Sequence, residues 1–421
     1  MPMVTASLKL SWLSLGEESN IHAQCYNRQR MTFRRRLART EATGDESEKR
    51  EQTNRAIQSL MVKHDPILLF ASRLLSPQKA EEASALYAWC RRLDEICDSE
   101  ENSSKPELVQ DQLDVWQERF DDLWSDETKE GARKTTRVEP TATTYYSEDD
   151  FLMDLALKEC IERYQSSGML TRKPFDDMVQ GMKSDAVEKR RIRDMAELEL
   201  YGYRVAGTVG LMLLPLLLTP EDDANDSSST SAAEAVKTAR EPATCLGTAI
   251  QLVNILRDAT QDAVLGRIYL PTDMLRAEGV TEEDEAKWLL EAAVGEGMSP
   301  APDGYKRVVE KVSNRGYELL AHAEEGRSTL PGPFGPLLVQ VIVELYRDYL
   351  EELKRRGYDN LQGGSGSNKG TMDRVKISGL RKAQASLRAI AKVLIDSKQT
   401  SILIQFDSLS DFLPQLYKYK L

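Results

Sequence analysis

The sequence predicts an all-α protein, and three observations support that prediction. From about residue 56 onward, apolar residues recur at spacings of three and four, the period of an amphipathic helix. Leu, Ala, Glu, Lys and Arg, which favour helix, dominate these segments. The alternation of β-branched and polar residues that marks a half-buried strand is almost absent. We therefore expect a bundle of helices rather than a sheet.

The periodic segments are separated by runs that are rich in Gly, Ser, Asn, Asp and Lys, a composition typical of flexible loops. We interpret three such runs as loop inserts near residues 125–147, 219–231 and 361–372 of a single helical domain over residues 56–398. The sequence predicts helices at roughly residues 56–74, 77–99, 107–125, 149–167, 173–186, 195–218, 232–263, 284–295, 302–325, 334–357 and 373–396.

The two ends of the chain lack this periodicity. Residues 1–55 are predicted to be a disordered tail or a targeting segment, and the polar run at residues 41–54 is interpreted as a linker. A basic run at Arg34–Arg36 favours targeting, whereas Glu17 and Glu18 count against it, so both interpretations stay open. Residues 399–421 are predicted to be a C-terminal extension.

Composition argues against several classes of protein. The chain carries 56 Lys and Arg against 68 Asp and Glu, a net charge of −12, which argues against nucleic acid as a partner. Five cysteines without zinc-site spacing are expected to be reduced structural thiols, and three histidines offer little for a multi-histidine metal site. The most apolar stretch, residues 205–218, is shorter than the roughly 20 residues that span a bilayer. Any membrane contact is therefore expected to be peripheral.

The first candidate site lies on the predicted helix at residues 77–99. Tyr87, Arg91, Asp94 and Asp98 are spaced by four, three and four residues, so they share one helical face. Carboxylates one turn apart can bind a hard divalent cation, and an adjacent guanidinium can hold a phosphate. Alone, the pattern is also typical of a solvated charged face. Apolar residues on both sides of the stripe favour a functional role, because they predict a buried helix.

The second candidate site lies on the predicted helix at residues 232–263. Gln251, Asn254, Asp258 and Asp262 follow one face of an otherwise apolar helix, with Arg257 beside them. Such a stripe is costly to bury unless a ligand or partner satisfies it. Two acidic helices that faced each other would present four aspartates to metal ions, with arginines for diphosphate oxygens. We therefore predict a functional pair of motifs.

A third helix, at residues 195–218, carries small residues at 206–208 and 210. They allow either close helix packing or the lining of a narrow apolar tunnel, and packing is the more common explanation. Tyr201 and Tyr203 need hydrogen-bond partners if their hydroxyl groups are buried.

Together these motifs resemble the squalene/phytoene synthase family. The resemblance extends over roughly residues 60–395 and is strongest to its phytoene-forming members. It rests on Tyr-Ala-Trp-Cys-Arg-Arg-Leu-Asp-Glu-Ile-Cys-Asp at 87–98, Tyr-Arg-Val-Ala-Gly-Thr-Val-Gly at 203–210, Asn-Ile-Leu-Arg-Asp at 254–258 and Gly-Arg-Ile-Tyr-Leu-Pro at 266–271. Supporting matches include Gln180-Gly-Met182 with Asp185 and Arg190.

The resemblance implies an isoprenoid-synthase helical bundle around a central apolar cavity. It implies the head-to-head condensation of two geranylgeranyl diphosphates through a cyclopropyl diphosphate, which is the first committed step of carotenoid synthesis. Mg²⁺ or Mn²⁺ is the implied cofactor, NADPH is not expected, and the implied location is the plastid. Other carotenoid-pathway enzymes are possible partners. The alternatives are a squalene or dehydrosqualene synthase that uses farnesyl diphosphate and a non-catalytic organellar assembly factor.

The resemblance also assigns roles to individual residues. It implies that Asp94, Asp98, Asp258 and Asp262 bind metal, that Arg91, Arg257 and Arg267 contact diphosphate, and that Tyr87, Tyr201, Gln251 and Asn254 are polar residues of the cavity. The chain departs from the family where Gln261 replaces the usual Glu of the second motif, which removes one negative charge. Because both aspartates of that motif remain, we expect activity with altered metal affinity. The segment at residues 65–70 also departs from the family pattern, and its role stays open.

Overall fold

The computed structural model describes residues 46–64, 75–98, 105–124, 148–187, 190–219, 229–294, 300–332, 334–361 and 375–397. Almost all of them lie in helices, which confirms the all-α prediction. The helices are α1 Glu46–His64, α2 Pro77–Asp98, α3 Pro106–Trp124, α4 Glu148–Gln165, α5 Lys173–Asp185, α6 Met195–Gly202, α7 Thr208–Leu218, α8 Ser229–Val264, α9 Thr272–Ala277, α10 Glu282–Val294, α11 Asp303–Gly326, α12 Phe334–Arg355 and α13 Gly379–Ser397. Short elements are a π-helical segment at Tyr203–Gly207, a 3₁₀ turn at Arg327–Thr329 and the strands β1 Arg190–Arg191 and β2 Arg267–Ile268.

The helix boundaries agree with the predicted ones to within about three residues, except at the first helix and at the start of the last, which begins at Gly379 rather than at residue 373. α1 begins at Glu46, so the interpretation of residues 46–54 as linker is wrong. Glu, Lys, Arg and Gln are good helix formers, and Glu51 pairs with Arg55 one turn later. The predicted inserts at 125–147 and 361–372 lie outside the described residues except for Leu361, and so do residues 220–228 of the third insert and the predicted C-terminal extension.

The chain divides into two compact units, so the prediction of one domain over residues 56–398 stays a prediction. The first unit comprises Met1–His64 and Ser84–Arg163, and the second comprises Asp65–Ala83 and Tyr164–Leu421.

In the first unit, aromatic rings of α2 and α3 form the core. The Trp89 ring lies 5.3 Å from that of Phe120 and 6.0 Å from that of Trp116, between centroids. Beside them, the buried Asp154 of α4 accepts hydrogen bonds from Arg92 at 2.7 Å and Arg119 at 2.6 Å. Burial alone would raise the pKa of Asp154, but the two guanidinium groups outweigh it and hold the pKa below its ordinary value. The buried charge is therefore paired.

In the second unit, α8 is the central helix, and it packs against α6, α7, α11 and α12. The first half of α8 lies very close to the backbone of residues 206–210. A Cβ on Gly247 of α8 would lie 2.3 Å from the carbonyl oxygen of Ala206, and a Cβ on Gly210 would lie 2.6 Å from the carbonyl oxygen of Ala243 on α8. Only glycine fits at such crossings. The small residues around 206–210 therefore serve helix packing, the interpretation that the sequence favoured over a tunnel.

One described helical stretch, Met195–Leu218, is long and apolar enough to cross a membrane by length and composition alone. Half of its most apolar window is buried inside the protein, where Leu211, Met212 and Leu216 belong to the core. The contacts with α8 make it a core helix, as the sequence predicted.

Candidate active site

The second acidic motif lies entirely on α8, in its C-terminal half. Leu252, Val253, Ile255 and Leu256 are buried in the core of the second unit. The stripe of Gln251, Asn254, Asp258 and Asp262 is only partly exposed between them. The structure thus places a polar stripe along an apolar helix, as the sequence predicted.

Arg257 and Asp258 form a forked ion pair although they are adjacent in sequence. The Nε and Nη2 atoms of Arg257 donate to the two carboxylate oxygens of Asp258 at 2.9 and 2.7 Å. The guanidinium also lies 5.5 Å from the ring centroid of Tyr349 on α12. Burial would lower the pKa of Arg257, but the hydrogen bonds to Asp258 outweigh it and raise the pKa. Arg257 therefore keeps its charge and holds Asp258 in one orientation.

Asn254 gives a direct test of whether the motif fits a cation. Its side-chain oxygen is buried, and it has no hydrogen-bond partner within the described residues. An amide oxygen accepts but cannot donate, so only a donor or a cation can satisfy it. Because it lies one turn before Asp258, this oxygen suits a divalent ion or one of the ion's water molecules.

Across the described ranges, no group of three or more His, Cys, Asp or Glu side chains lies close enough to hold a metal ion. A metal ion at the α8 motif would need further ligands from water or from substrate phosphates, as Mg²⁺ usually takes in proteins.

A buried cluster of two tyrosines and a carboxylate lies in the same unit as this motif. The Tyr201 and Tyr269 hydroxyl groups donate to the same oxygen of Asp185 at 2.5 and 3.0 Å. Their rings stack with centroids 5.0 Å apart. Tyr201 thus has the partner that its burial requires.

Burial is the main cause of the shifted acidities in this cluster. It raises the pKa of Asp185, an effect that the Tyr201 hydrogen bond and the charges of Arg267 and Arg190 oppose. Burial and the charge of Asp185 raise the pKa of both tyrosines well above their ordinary value. Both hydroxyl groups therefore stay protonated at neutral pH and act as hydrogen-bond donors.

The strands β1 and β2 bring Arg267 to this cluster. They pair in parallel, with Arg190 opposite Arg267 and Arg191 opposite Ile268. The Arg190 Nε atom lies 3.6 Å from Asp185, and the charge of Arg267 acts on both Asp185 and Tyr269. The predicted diphosphate contact Arg267 is therefore held beside Asp185 by backbone pairing.

Sequence reasoning missed the roles of Asp185 and Tyr269. Both residues belong to segments on which the family resemblance rests, but neither lies in a helical pattern of polar residues that would single it out. The only available signal was that Tyr201 requires a buried partner. The charge of Asp262 also raises the pKa of Tyr269, which links this cluster to the second aspartate of the α8 motif.

The first acidic motif lies on α2, in the first unit. Arg91 donates to Asp94 at 2.9 Å and lies 3.6 Å from Glu95. Leu86, Ala88 and Leu93 are fully buried, which confirms that the helix is apolar beside its acidic stripe. Tyr87 is partly buried on this helix, and Asp98 is its last residue, with a side chain outside the described part. That the four aspartates share one cluster of ions stays a prediction.

The cysteines in the described part of the chain are free, as predicted. Cys90, Cys97 and Cys160 are buried, and Cys245 is partly exposed. Burial, with a smaller effect from Asp94, raises the pKa of Cys90 to about 12. The Cys90 thiol is therefore inert at neutral pH, although it lies in the first motif.

The chain matches the family model described as squalene/phytoene synthase over residues 61–381. It is 31% identical to chloroplastic phytoene synthase 2 of Solanum lycopersicum over 68% of this chain and 76% of that relative. It is 33% identical to the phytoene synthase of Arthrospira platensis over 68% of this chain and 79% of that relative. The match to the chloroplastic phytoene synthase of Narcissus pseudonarcissus, at 32% identity, covers 68% of this chain but 56% of that relative.

Solved structures agree in fold. A dehydrosqualene synthase aligns with a TM-score of 0.58 at 23% identity, covering 83% of this chain and 99% of the other. A squalene synthase from Alicyclobacillus acidocaldarius aligns with a TM-score of 0.53 at 20% identity, covering 74% and 95%. With the family match spanning both aspartate motifs and the buried tyrosine cluster, the chain belongs to the squalene/phytoene synthase family of prenyltransferases.

Proposed function

We propose that this protein condenses two molecules of geranylgeranyl diphosphate head to head into phytoene, through a cyclopropyl diphosphate, as the first committed step of carotenoid synthesis. The observation that carries the proposal is identity above 30% to phytoene synthases over more than two thirds of the chain, with the motif aspartates intact. The plastid is its location, in agreement with the chloroplastic relatives of tomato, maize and daffodil.

The α8 motif supports the first chemical requirement, which is the departure of diphosphate. Mg²⁺ or Mn²⁺, when bound, would neutralise the charge that develops on the leaving diphosphate. We assign Asp94, Asp98, Asp258 and Asp262 to the metal, with Asn254 and Gln251 as neighbouring polar ligands or water-binding groups. Arg257 is already charged and oriented by Asp258, so it can bind a diphosphate oxygen without a rearrangement. Arg91 and Arg267 are proposed to act in the same way.

The tyrosine cluster supports the second requirement, which is control of a carbocation. Because their hydroxyl groups donate to Asp185 and stay protonated, Tyr201 and Tyr269 are poor bases and poor nucleophiles at neutral pH. Aromatic faces stabilise a nearby cation. We propose that Tyr201, with Tyr87 from the first motif, lines the path of the cationic intermediates, and that Asp185 fixes the orientation of the Tyr201 ring.

The test is product analysis. The purified chain is incubated with geranylgeranyl diphosphate and Mg²⁺, and parallel incubations use Mn²⁺, farnesyl diphosphate or added NADPH. The hydrocarbon products are then extracted and identified by mass spectrometry. A C40 hydrocarbon that forms without NADPH supports the proposal. A C30 product alone from farnesyl diphosphate would establish squalene or dehydrosqualene synthesis instead. Absence of turnover in every arm would favour a non-catalytic assembly factor.

A further inference from the structure

The two side chains of β1 contact different parts of the second unit. Arg190 and Arg191 are successive strand residues, so their side chains point to opposite faces. The Arg190 guanidinium lies 5.9 Å from the ring centroid of Tyr201, and its Nη1 atom donates to Glu197 at 3.0 Å. The Arg191 guanidinium instead reaches α10. One side of β1 therefore faces the tyrosine cluster, and the other side is anchored away from it.

The anchor of Arg191 consists of two hydrogen bonds to α10. Its Nη1 atom donates to the carboxylate of Glu285, and its Nη2 atom donates to the carbonyl oxygen of Glu282 at 2.8 Å. The Glu285 side chain is fully buried, and that of Arg191 is 23% exposed. A buried ion pair adds little net stability, because desolvation of the charges offsets their attraction. The fork of the guanidinium nevertheless restricts where β1 can lie.

Backbone pairing connects β1 to β2. The two strands form a parallel ladder of two residue pairs, with Arg190 opposite Arg267. Just beyond it, the amide of Thr272 donates to the carbonyl oxygen of Ile192 at 3.0 Å. A two-stranded sheet is marginal by itself and needs support from neighbouring elements. The position of Arg267 therefore depends on what holds β1 in place.

The side of β1 that faces the tyrosine cluster has unused hydrogen-bond capacity. Within the described residues, the buried Nε atom of Arg190 and the buried Oδ1 atom of Asp185 have no hydrogen-bond partner, and these two atoms lie 3.6 Å apart. The charge of Arg267 also acts on Asp185. A buried guanidinium N–H without an acceptor suits an oxygen atom of a bound anion. Two guanidinium groups on the paired strands are thus near the place where such an oxygen would bind.

We propose that Arg191 and Glu285 are positioning residues for diphosphate binding. Their buried ion pair fixes β1 against α10, and the ladder then holds Arg267, with Arg190 beside it, where these side chains meet a diphosphate oxygen. Neither member of the pair touches the substrate. The inference deepens the proposed function and rests on it for the identity of the anion and for the role of Arg267.

The test is calorimetric titration of the full chain with inorganic diphosphate and Mg²⁺ at pH 8. At this pH the Glu285 carboxylate is mostly ionised, because burial raises its pKa only to about 7. R191M/E285L replaces the ion pair with apolar side chains of similar size, a change that is often neutral for stability. We expect the melting temperature to stay within about 4 °C of the wild type. Diphosphate should nevertheless bind about tenfold more weakly, because apolar contacts lack the fork that fixes β1.

A double-mutant cycle separates positioning from stabilisation of the fold. R267M alone should weaken diphosphate binding about tenfold, and addition of R191M/E285L should then cost only about threefold or less, because the pair acts mainly through Arg267. R276M is the matched control. It removes an exposed arginine that lies 3.8 Å from Glu282 on the same helix, and it should bind diphosphate as the wild type does.

Three outcomes would overturn the inference: wild-type affinity in R191M/E285L, the full tenfold loss when that change is added to R267M, and no diphosphate binding by the wild type. If circular dichroism shows that R191M/E285L is unfolded, R191K replaces it. This variant keeps the charge and loses the fork, so it should bind about fivefold more weakly, and wild-type affinity would overturn the inference. Calorimetry needs no turnover, so a failure of the C40 assay would be distinguishable from a failure of this proposal.

Discussion

At the scale of single residues, the α8 motif illustrates how a charge is prepared before a ligand arrives. Asp258 accepts hydrogen bonds from two of the three guanidinium nitrogens of Arg257, so two opposite charges lie side by side on a half-buried helix face. In the proposed function, Asp258 would bind a cation and Arg257 a phosphate oxygen. Groups oriented in advance stabilise a developing charge without the cost of reorganisation.

Replacement of Asp258 tests this arrangement. Asp258→Ala should reduce kcat by roughly a thousandfold or more, because it removes a proposed metal ligand and releases Arg257. Far-UV circular dichroism should show unchanged helical content, since alanine favours helix. Glu318→Ala, which removes an exposed carboxylate on α11, is the control and should keep wild-type activity. Near-normal turnover in Asp258→Ala would refute the metal assignment.

Glu285 is a buried carboxylate that the proposed chemistry does not use. Its side chain on α10 is fully buried and pairs with Arg191, whose Nη2 atom also donates to the carbonyl of Glu282 at 2.8 Å. Burial raises the pKa of Glu285 to about 7 against the opposing charge of Arg191, and Glu282 adds to the rise. The native state therefore binds this proton more tightly than the unfolded chain does.

The sign of the pH effect follows from that difference. Between about pH 4.5 and pH 7 the native protein holds a proton that the unfolded chain has lost, so this group's contribution to the free energy of unfolding falls as pH rises, by up to about 3 kcal/mol. Glu285→Gln removes that contribution. In denaturant titrations, the free energy of unfolding of the wild type should therefore fall between pH 5 and pH 8 relative to that of the variant. Glu291→Gln, on an exposed position of the same helix, should show no such difference.

At the scale of elements, the crossing of α8 with the helix at residues 195–218 determines where the site residues lie. A π-helical segment at Tyr203–Gly207 interrupts that helix where Gly247 of α8 approaches its backbone. π-helical segments are rare in proteins, and those that occur are often found at functional sites. Tyr201 lies just before the segment, so its direction relative to α8 depends on this crossing.

Gly247→Ala measures how tightly the crossing is constrained. The new Cβ would meet backbone atoms of Ala206 and Gly207 within 2.6 Å, which cannot yield without separation of the helices, so we expect a loss of about 2 kcal/mol or more of stability. Gly316→Ala on α11 is the matched control. Its nearest contact, a Leu350 methyl group, lies at an ordinary 3.4 Å, and alanine favours helix, so this variant should be neutral or more stable by up to about 1 kcal/mol. Equal stability of the two variants in denaturant titration would contradict the packing interpretation.

The helices themselves could be predicted from sequence because their periodicity is local. Among the described residues, the elements that the sequence did not predict are α9, β1, β2, the π-helical segment and the 3₁₀ turn at Arg327–Thr329. Each is a short element whose conformation is decided by neighbours distant in sequence: β1 and β2 exist only because Arg190 and Arg191 pair with Arg267 and Ile268. Local patterns carry no information about such pairing.

At the scale of the whole molecule, the first helix begins before the part of the chain that matches the family model. The match begins at residue 61, whereas α1 begins at Glu46. α1, Glu46–His64, runs through the predicted boundary at residue 56, so a division of the chain at that point would cut this helix.

The predicted tail is therefore better tested by removal of residues 1–45 than by removal of residues 1–55. A protein of residues 46–421 should keep kcat/KM within about twofold of the full chain in detergent micelles, because the removed segment has neither a periodic apolar pattern nor a family match. A variant that starts at residue 56 serves as the comparison, and it should be less stable because it lacks the first turns of α1. A large loss of activity in the longer variant would show that the first 45 residues are part of the catalytic unit.

The sequence by itself determined the fold class, the helix order, the two aspartate motifs and the family, because helical period and motif spacing are properties of neighbouring residues. Only the tertiary structure decided that Asp185 joins Tyr201 to Tyr269, that β-pairing places Arg267 beside them, and that Leu380, Leu387 and Ile395 of α13 are left exposed. These features depend on which distant segments meet and which surfaces they cover. Burial, hydrogen-bond partners and shifted acidities arise from that packing and are not encoded in any one segment.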